Sequence, residues 1–185
     1  QEGVVALGFR DGDPTVDLFP PDADAGAECL EFNRPLGSSD LSQYLENIPG
    51  GYQIQRMNRQ LLESSSHCEA TVNRYGSIEN FLAKGIAVCL LRGSEIISEA
   101  YADMDVGGVR ELGIRTTKPY EGHGFASMVC AHLIRLCEES GSATFWDCSK
   151  FNLGSRGVAR KLGFGNERAY KLLAWFPPRD AVGDA

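Results

Sequence analysis

Arg110–Glu138 reads RELGIRTTKPYEGHGFASMVCAHLIRLCE, and the fold turns on how this stretch is parsed. Its first part alternates, with Glu111, Gly113 and Arg115 on one side and Leu112 and Ile114 on the other, which predicts a strand. Ala126, Val129, Cys130, Leu133 and Cys137 then recur at helical spacing and predict a long amphipathic helix. Between the two, Gly122 and Gly124 stand in a turn. A helix starting there presents N–H groups that no earlier carbonyl satisfies, and the helix dipole adds to their positive potential. Strand, glycine turn and helix together make a ready anion site of the kind that holds phosphates. A short Gly-x-Gly equally describes a tight turn without a ligand, so its context decides.

Working outward, Ile86–Leu91 (IAVCLL) is a continuous apolar run that fits a central strand covered on both faces. Arg92-Gly93-Ser94 turns the chain, and Glu95–Tyr101 returns antiparallel. Asp103–Gly108 leads into the Val109–Thr116 strand. Beyond the long helix, Ser140-Gly141-Ser142 breaks the pattern and Thr144–Cys148 predicts a strand. Asn152–Leu162 reads as a short helix stopped by Gly163, and Ala169–Phe176 as a last strand. Upstream, the sequence predicts a helix over Asp40–Asn47 with Asp40 as N-cap and a strand over Tyr52–Met57. It predicts a helix capped by Asn58 and another from Ser77. Val4–Phe9 and Thr15–Phe19 look like short strands about the turn Arg10–Pro14, and Pro20-Pro21 opens a solvated linker. The expected division is an N-terminal extension or remnant of a preceding domain over residues 1–47, a main domain over 48–178, and a tail over 179–185. The class is α+β: a mixed, mostly antiparallel sheet flanked by helices, with one strand–helix–strand crossover.

With 185 residues, 43% apolar and 23% charged, the chain has the composition of one soluble globular domain. A net charge of −7 argues against a nucleic-acid ligand and mildly favours cationic partners. The six cysteines form no CxxC pair and no metal-ligand spacing. Cys89, Cys130 and Cys137 lie in apolar runs as small core residues, which fits a reducing, cytoplasmic setting. His67, His123 and His132 are too scattered for a metal site, and Cys68 in its polar loop makes a weak nucleophile. No apolar run is long enough to span a bilayer and no signal peptide is evident. Gln1 in place of methionine fits a chain trimmed or processed at its start.

The ordered segments ELGIRTTKPYEGHGFA, WDCSKFNLGSRGVARKLGF and a tyrosine soon after resemble the GNAT-type N-acyltransferases. LAKGIAVCLL, GSEIISEAY and FWDCSKFN look closest to a bacterial subgroup of that superfamily with an extra N-terminal domain. The resemblance runs from about Tyr52 to Tyr170. It implies a GNAT-like sheet and an enzyme that moves acetyl from acetyl-CoA to a primary amine by direct attack in a ternary complex. The strand carrying Ile114, Arg115 and Thr116 would offer backbone groups to the pantetheine arm. Gly122, His123, Gly124, Phe125 and Ala126 would hold the pyrophosphate, and Asn152 and Ser155 would line the other side.

For the chemistry, the resemblance implies Glu111 as general base, with Glu99 as second choice. An ion pair between Glu111 and Arg115 or a neighbour is the alternative reading. Tyr170 reads either as the proton donor to the departing thiolate or as a core aromatic. Two positions differ from the family pattern. Members usually carry Arg or Gln where this chain has Glu121, and a carboxylate beside a diphosphate is repulsive by about 1 kcal/mol at an exposed site. Many also carry tyrosine where this chain has Ala159. Both differences allow the alternative of a GNAT-like domain that binds acyl-CoA or a protein partner without turnover. Acceptor choice would lie in Asn58–Tyr75 and Met104–Gly108. The acceptor and the oligomeric state, a homodimer among the options, stay open.

Overall fold

Ile86–Leu91 are buried without exception, so this run sits where both faces of a sheet are covered. The computed structural model describes residues 5–9, 14, 24–38, 40–102 and 105–175. In chain order these residues form β1 (Val5–Phe9), β2 (Asp24–Arg34), α1 (Ser42–Leu45), β3 (Gln53–Arg56), α2 (Arg59–Ser64), α3 (Cys68–Tyr75) and α4 (Ile78–Lys84). There follow β4 (Ile86–Arg92), β5 (Glu95–Ala102), β6 (Val109–Thr116), α5 (Phe125–Glu139), β7 (Ala143–Ser149), α6 (Leu153–Lys161) and β8 (Gly165–Trp175). The described strands make one sheet in the order β1-β8-β2-β7-β6-β5-β4-β3. Every neighbouring pair is antiparallel except β6 and β7, which run parallel and are joined by α5. This is the mixed, mostly antiparallel sheet with one crossover that the sequence predicts.

The caps explain the helix starts. Asn58 accepts the Leu61 N–H at 3.0 Å and Ser77 accepts the Asn80 N–H at 3.1 Å, each satisfying an orphan donor of a first turn. Asp40 accepts the Ser42 N–H at 2.8 Å instead of capping directly, so α1 begins later and is shorter than expected. α5 presents Val129, Cys130, Leu133, Ile134 and Cys137 to the sheet, all fully buried. Each such aliphatic side chain contributes about 1.5–3 kcal/mol by leaving water. Burial pushes the Cys89 and Cys137 thiols up to about 12, which makes them inert core residues. A second core cluster, with Met57, Leu62, Tyr75, Phe81 and Cys89, lies under α2, α3 and α4 on the opposite face.

Two elements depart from the sequence expectation. Cys68, expected in a polar loop, starts α3 (Cys68–Tyr75), for which the sequence predicts no separate element and in which Thr71 and Tyr75 are buried. Asp24–Arg34, for which no element was expected, is β2 and pairs with both β7 and β8. Residues 24–34 therefore stand inside the sheet, although the sequence reading grouped them with an extension. Their alternation sends Leu30 and Phe32 into the core and Glu31 to the other face. Arg34, buried at the end of β2, donates from Nε to the Leu162 carbonyl at 3.0 Å and pairs with Glu138. Glu138 in turn accepts the Gly37 N–H at 2.9 Å, so the buried charge is satisfied. The expected strand at Thr15–Phe19, most of the turn Arg10–Pro14, the Pro20-Pro21 linker and the 179–185 tail lie outside the described residues.

Candidate active site where two strands part

β6 and β7 are paired only through Val109, Arg110 and Glu111, opposite Ala143, Thr144 and Phe145. Beyond the Glu111–Phe145 pair each strand keeps its other neighbour, β5 for one and β2 for the other. The sheet thus opens, and the β7-facing backbone edge of residues 112–116 has no strand partner among the described residues. Unpaired strand edges seek donors and acceptors elsewhere.

On the α5 face, the opening leads into a cleft of about 650 Å³. Ile114, Thr116, Gly122, Gly124, Phe125, Ala126, Asn152 and Ser155 all line it, so the structure brings together eight of the ten residues expected to hold the cofactor. Gly122 and Gly124 have φ of +79° and +83°, a left-handed backbone that favours glycine and lets the chain turn directly into α5. No side chain caps that helix, so its first N–H groups stay available to the cleft. Across the cleft, Asn152 accepts the Ser155 N–H at 3.0 Å and starts α6. The buried Trp146 indole donates to Ser155 Oγ at 2.9 Å, fixing that hydroxyl from behind.

The other two expected residues stand elsewhere. Arg115 points to the opposite face, beside Glu99 and Ser98 in a small cavity of about 140 Å³. His123 is exposed at the turn, with Nδ1 3.0 Å from the Glu121 carbonyl oxygen and its ring stacked on Phe125. Glu121 itself lines the cleft. Ala159 is fully buried in the core. Arg156 donates to the Lys150 carbonyl at 3.1 Å and pairs with Glu167 at 3.4 Å, whereas Lys161 lines the cleft. Lys161 was missed in the sequence; it follows Gly154, Gly157 and Val158 on one helical face, a spacing that could have found it.

On the other face lies a second cavity of about 350 Å³, lined by Gly8, Phe9, Cys29, Glu31, Glu111, Phe145, Asp147, Tyr170 and Leu172. Glu111 has no hydrogen bond or ion pair among the described residues, so the expected alternative of a Glu111–Arg115 pair is not what the structure contains there. Glu111 is open to the cavity, yet the protein around it and then the Asp147 charge raise its carboxyl above the usual range. Tyr170 donates its hydroxyl to Asp147, and burial followed by that carboxylate pushes the phenol up, so it stays protonated. Desolvation likewise raises Asp147. Glu99 is buried away from this cavity and accepts hydrogen bonds from Ser65 Oγ at 2.6 Å and from Ser66. The Tyr101 ring lies over Gly113, where an added Cβ would meet it at 2.0 Å, and His67 stacks on Tyr101 at 3.7 Å. Asp147 was not legible as a site residue, because strand order alone brings it beside Glu111.

Residues 26–173 match the model of the GNAT acetyltransferase family. The chain is 28% identical over 127 residues to YdfB, an uncharacterized N-acetyltransferase of Bacillus subtilis (strain 168). That match covers 68% of this chain and 49% of YdfB, so the chain spans about half the length of this curated relative. The fold is similar to a GCN5-related N-acetyltransferase-like protein from Streptococcus suis 89/1591 (TM-score 0.68, 22% identity, 89% of this chain and 67% of that one). It is also similar to a GCN5-related N-acetyltransferase from Kribbella flavida (TM-score 0.59, 17% identity, 95% of this chain and 68% of that one). No helix among the described residues is long and apolar enough to cross a membrane. With its parted strands, its glycine turn and the family match over most of its length, the chain belongs to the GNAT acetyltransferase family.

Proposed function

We propose that this domain transfers acetyl from acetyl-CoA to a primary amine by direct attack within a ternary complex. The observation that carries this reading is the parting of β6 and β7 after Glu111 and Phe145. That opening adjoins the phosphate-compatible cleft on one face and the cavity lined by carboxylates on the other. The cleft suits acetyl-CoA in three respects. The α5 N-terminus supplies N–H donors for a diphosphate, the free β6 edge supplies amide partners for the pantetheine arm, and Lys161 supplies positive charge.

In this reading Glu111 takes a proton from the acceptor ammonium. The freed nitrogen lone pair attacks the thioester carbonyl carbon; as the C–N bond forms, the C–S bond breaks, the sulfur leaves with its electron pair, and the proton left on nitrogen replaces the one Tyr170 gives to sulfur, so the products are an amide and a free thiol. A raised carboxyl pKa suits a base that must accept a proton near neutral pH. Tyr170 is the proton donor to the thiolate in this reading; its raised phenol makes it a weak acid, and the thiolate needs little help because thiol pKa values lie near 8.5. Ile114, Arg115, Thr116 and His123 act through their backbone, and Gly122, Gly124, Phe125, Ala126, Asn152 and Ser155 surround the cofactor.

Glu121 in the cleft favours a second reading, in which the domain binds acyl-CoA without turnover. Calorimetry with acetyl-CoA followed by thiol release with a panel of amines tests both. Binding plus release supports transfer, binding alone supports the second reading, and no heat at millimolar acetyl-CoA would sink both. Lys161→Ala should weaken acetyl-CoA binding several-fold, about 1 kcal/mol for one partly exposed phosphate contact.

A further inference from the structure

We propose that the cavity on the Glu111 face accepts a small primary amine carrying one positive charge on an apolar, aromatic-sized body. This deepens the acetyltransfer reading and rests on it for calling the ligand an acceptor.

The first support is the wall material. Phe9, Phe145 and Leu172 line the cavity with hydrocarbon. The Tyr170 ring joins them because Gly8 leaves room: a Cβ there would sit 3.1 Å from two ring carbons. Aromatic walls favour a flat apolar partner beyond simple area burial.

The second support is how the polar groups are committed. Glu31 pairs with Arg168 at 2.7 Å, and Asp147 accepts the Tyr170 hydroxyl. Glu111 alone has neither hydrogen bond nor ion pair among the described residues. The carboxylates sharing the cavity discourage full ionisation of the group: after burial, Asp147 raises Glu111 and Glu31 raises Asp147. The cavity therefore offers charge for one ammonium group and not for a row of them. Among the described residues no group of His, Cys, Asp and Glu is placed to hold a metal ion, so the unpartnered carboxylate is not read as a metal ligand. A polyol would find few free donors and acceptors, and each hydroxyl buried without a partner costs about 1–3 kcal/mol.

The third support is size. About 350 Å³ lies at the low end of ligand sites, which run roughly 300–1,000 Å³. That volume holds an arylalkylamine.

The test is calorimetric titration of the full chain, without acetyl-CoA, using 2-phenylethylamine, ethylamine, spermidine and glucosamine. Phenylethylamine should bind at least about tenfold tighter than the other three. Phe145→Ala should weaken phenylethylamine by about tenfold and leave ethylamine unchanged. Leu172→Asn should act the same way and serves if the first variant fails to fold, as judged by its thermal melt. Equal or tighter binding of spermidine or glucosamine, no binding of phenylethylamine, or indifference to both substitutions would overturn the proposal. Phenylethylamine binding without thiol release once acetyl-CoA is added would support the ligand class while counting against turnover, so the two readings fail separately.

Discussion

On the α5 side of the sheet, Leu112 of β6 and Trp146 of β7 are sealed from water with Val129, Leu133 and Ile134 of α5, whereas on the opposite side β6 and β7 carry Glu111 and Asp147, and β2 and β5 carry Glu31 and Glu99. Leu112 and Glu111 are neighbours in sequence, as are Trp146 and Asp147. The period-2 alternation of a strand lets one backbone serve packing on one face and charge on the other. The difference teaches that rigidity and chemistry here are not separate regions of the chain but alternate residues of the same few strands. Substitutions on the two faces should consequently fail in different ways.

The strongest way to break this comparison is Glu111→Gln. Loss of a general base costs about 10²–10⁴-fold, so kcat/KM should fall by that order while acetyl-CoA affinity barely changes. Burial and then Asp147 raise the Glu111 carboxyl, so wild-type activity should decline as pH falls through that raised value. The Gln variant should lack this acid limb. The sign for stability is the reverse: the native state holds the Glu111 proton more tightly than the unfolded chain, so stability drains as pH rises above the unfolded value. The variant should melt no lower than wild type at neutral pH. An unchanged rate would reject Glu111 as base.

Leu133→Ala is the counterpart on the α5 face. A large-to-small change at a fully buried site should cost about 2–5 kcal/mol in denaturant unfolding. Residual folded enzyme should keep the wild-type pH profile. A cost under 1 kcal/mol would mean that this face is not the rigid half.

Gly113→Ala sharpens the boundary between the two roles. Its Cβ would meet the Tyr101 ring at 2.0 Å, so the ring and the His67 stacked on it must move, at about 1–3 kcal/mol. Adding Tyr101→Leu should recover most of that loss, whereas no recovery would place the strain elsewhere. The smallest effect is expected for Glu121→Arg, which should tighten acetyl-CoA by about 1 kcal/mol in calorimetry. Equal or weaker binding would show that this carboxylate does not face the diphosphate.

What the sequence revealed follows the same line. β6, the glycine turn and α5 could be read because their signals are local: an alternation, a left-handed turn, then a helical stripe within one segment. β2 could not, since its apolar residues Leu30 and Phe32 are too few to stand out among Asp, Gly and Glu until β7 and β8 cover them. α3 hid for a similar reason, its polar residues CEATVNRY owing their helix to Tyr75 packing on Phe81. The cleft residues were foreseen as a set, but Arg115 shows the limit: the alternation that groups it with Glu111 also turns its side chain away from the cleft. Asp147 came beside Glu111 only through strand order, which no single segment encodes.

The place of β2 between β7 and β8 has a consequence for how the chain reaches its native state. Its end is fastened by the Arg34–Leu162 bond between residues 128 apart in sequence. Strands β3 to β6 and α5 can condense from contacts near in sequence, but the half of the sheet holding Glu31, Asp147 and Tyr170 must await β7 and β8. Such long-range pairing is slow and leaves strand edges open to mispairing meanwhile. During synthesis, then, α5 can form before the Glu111 cavity has its walls, and the face proposed for the amine is completed after the rest.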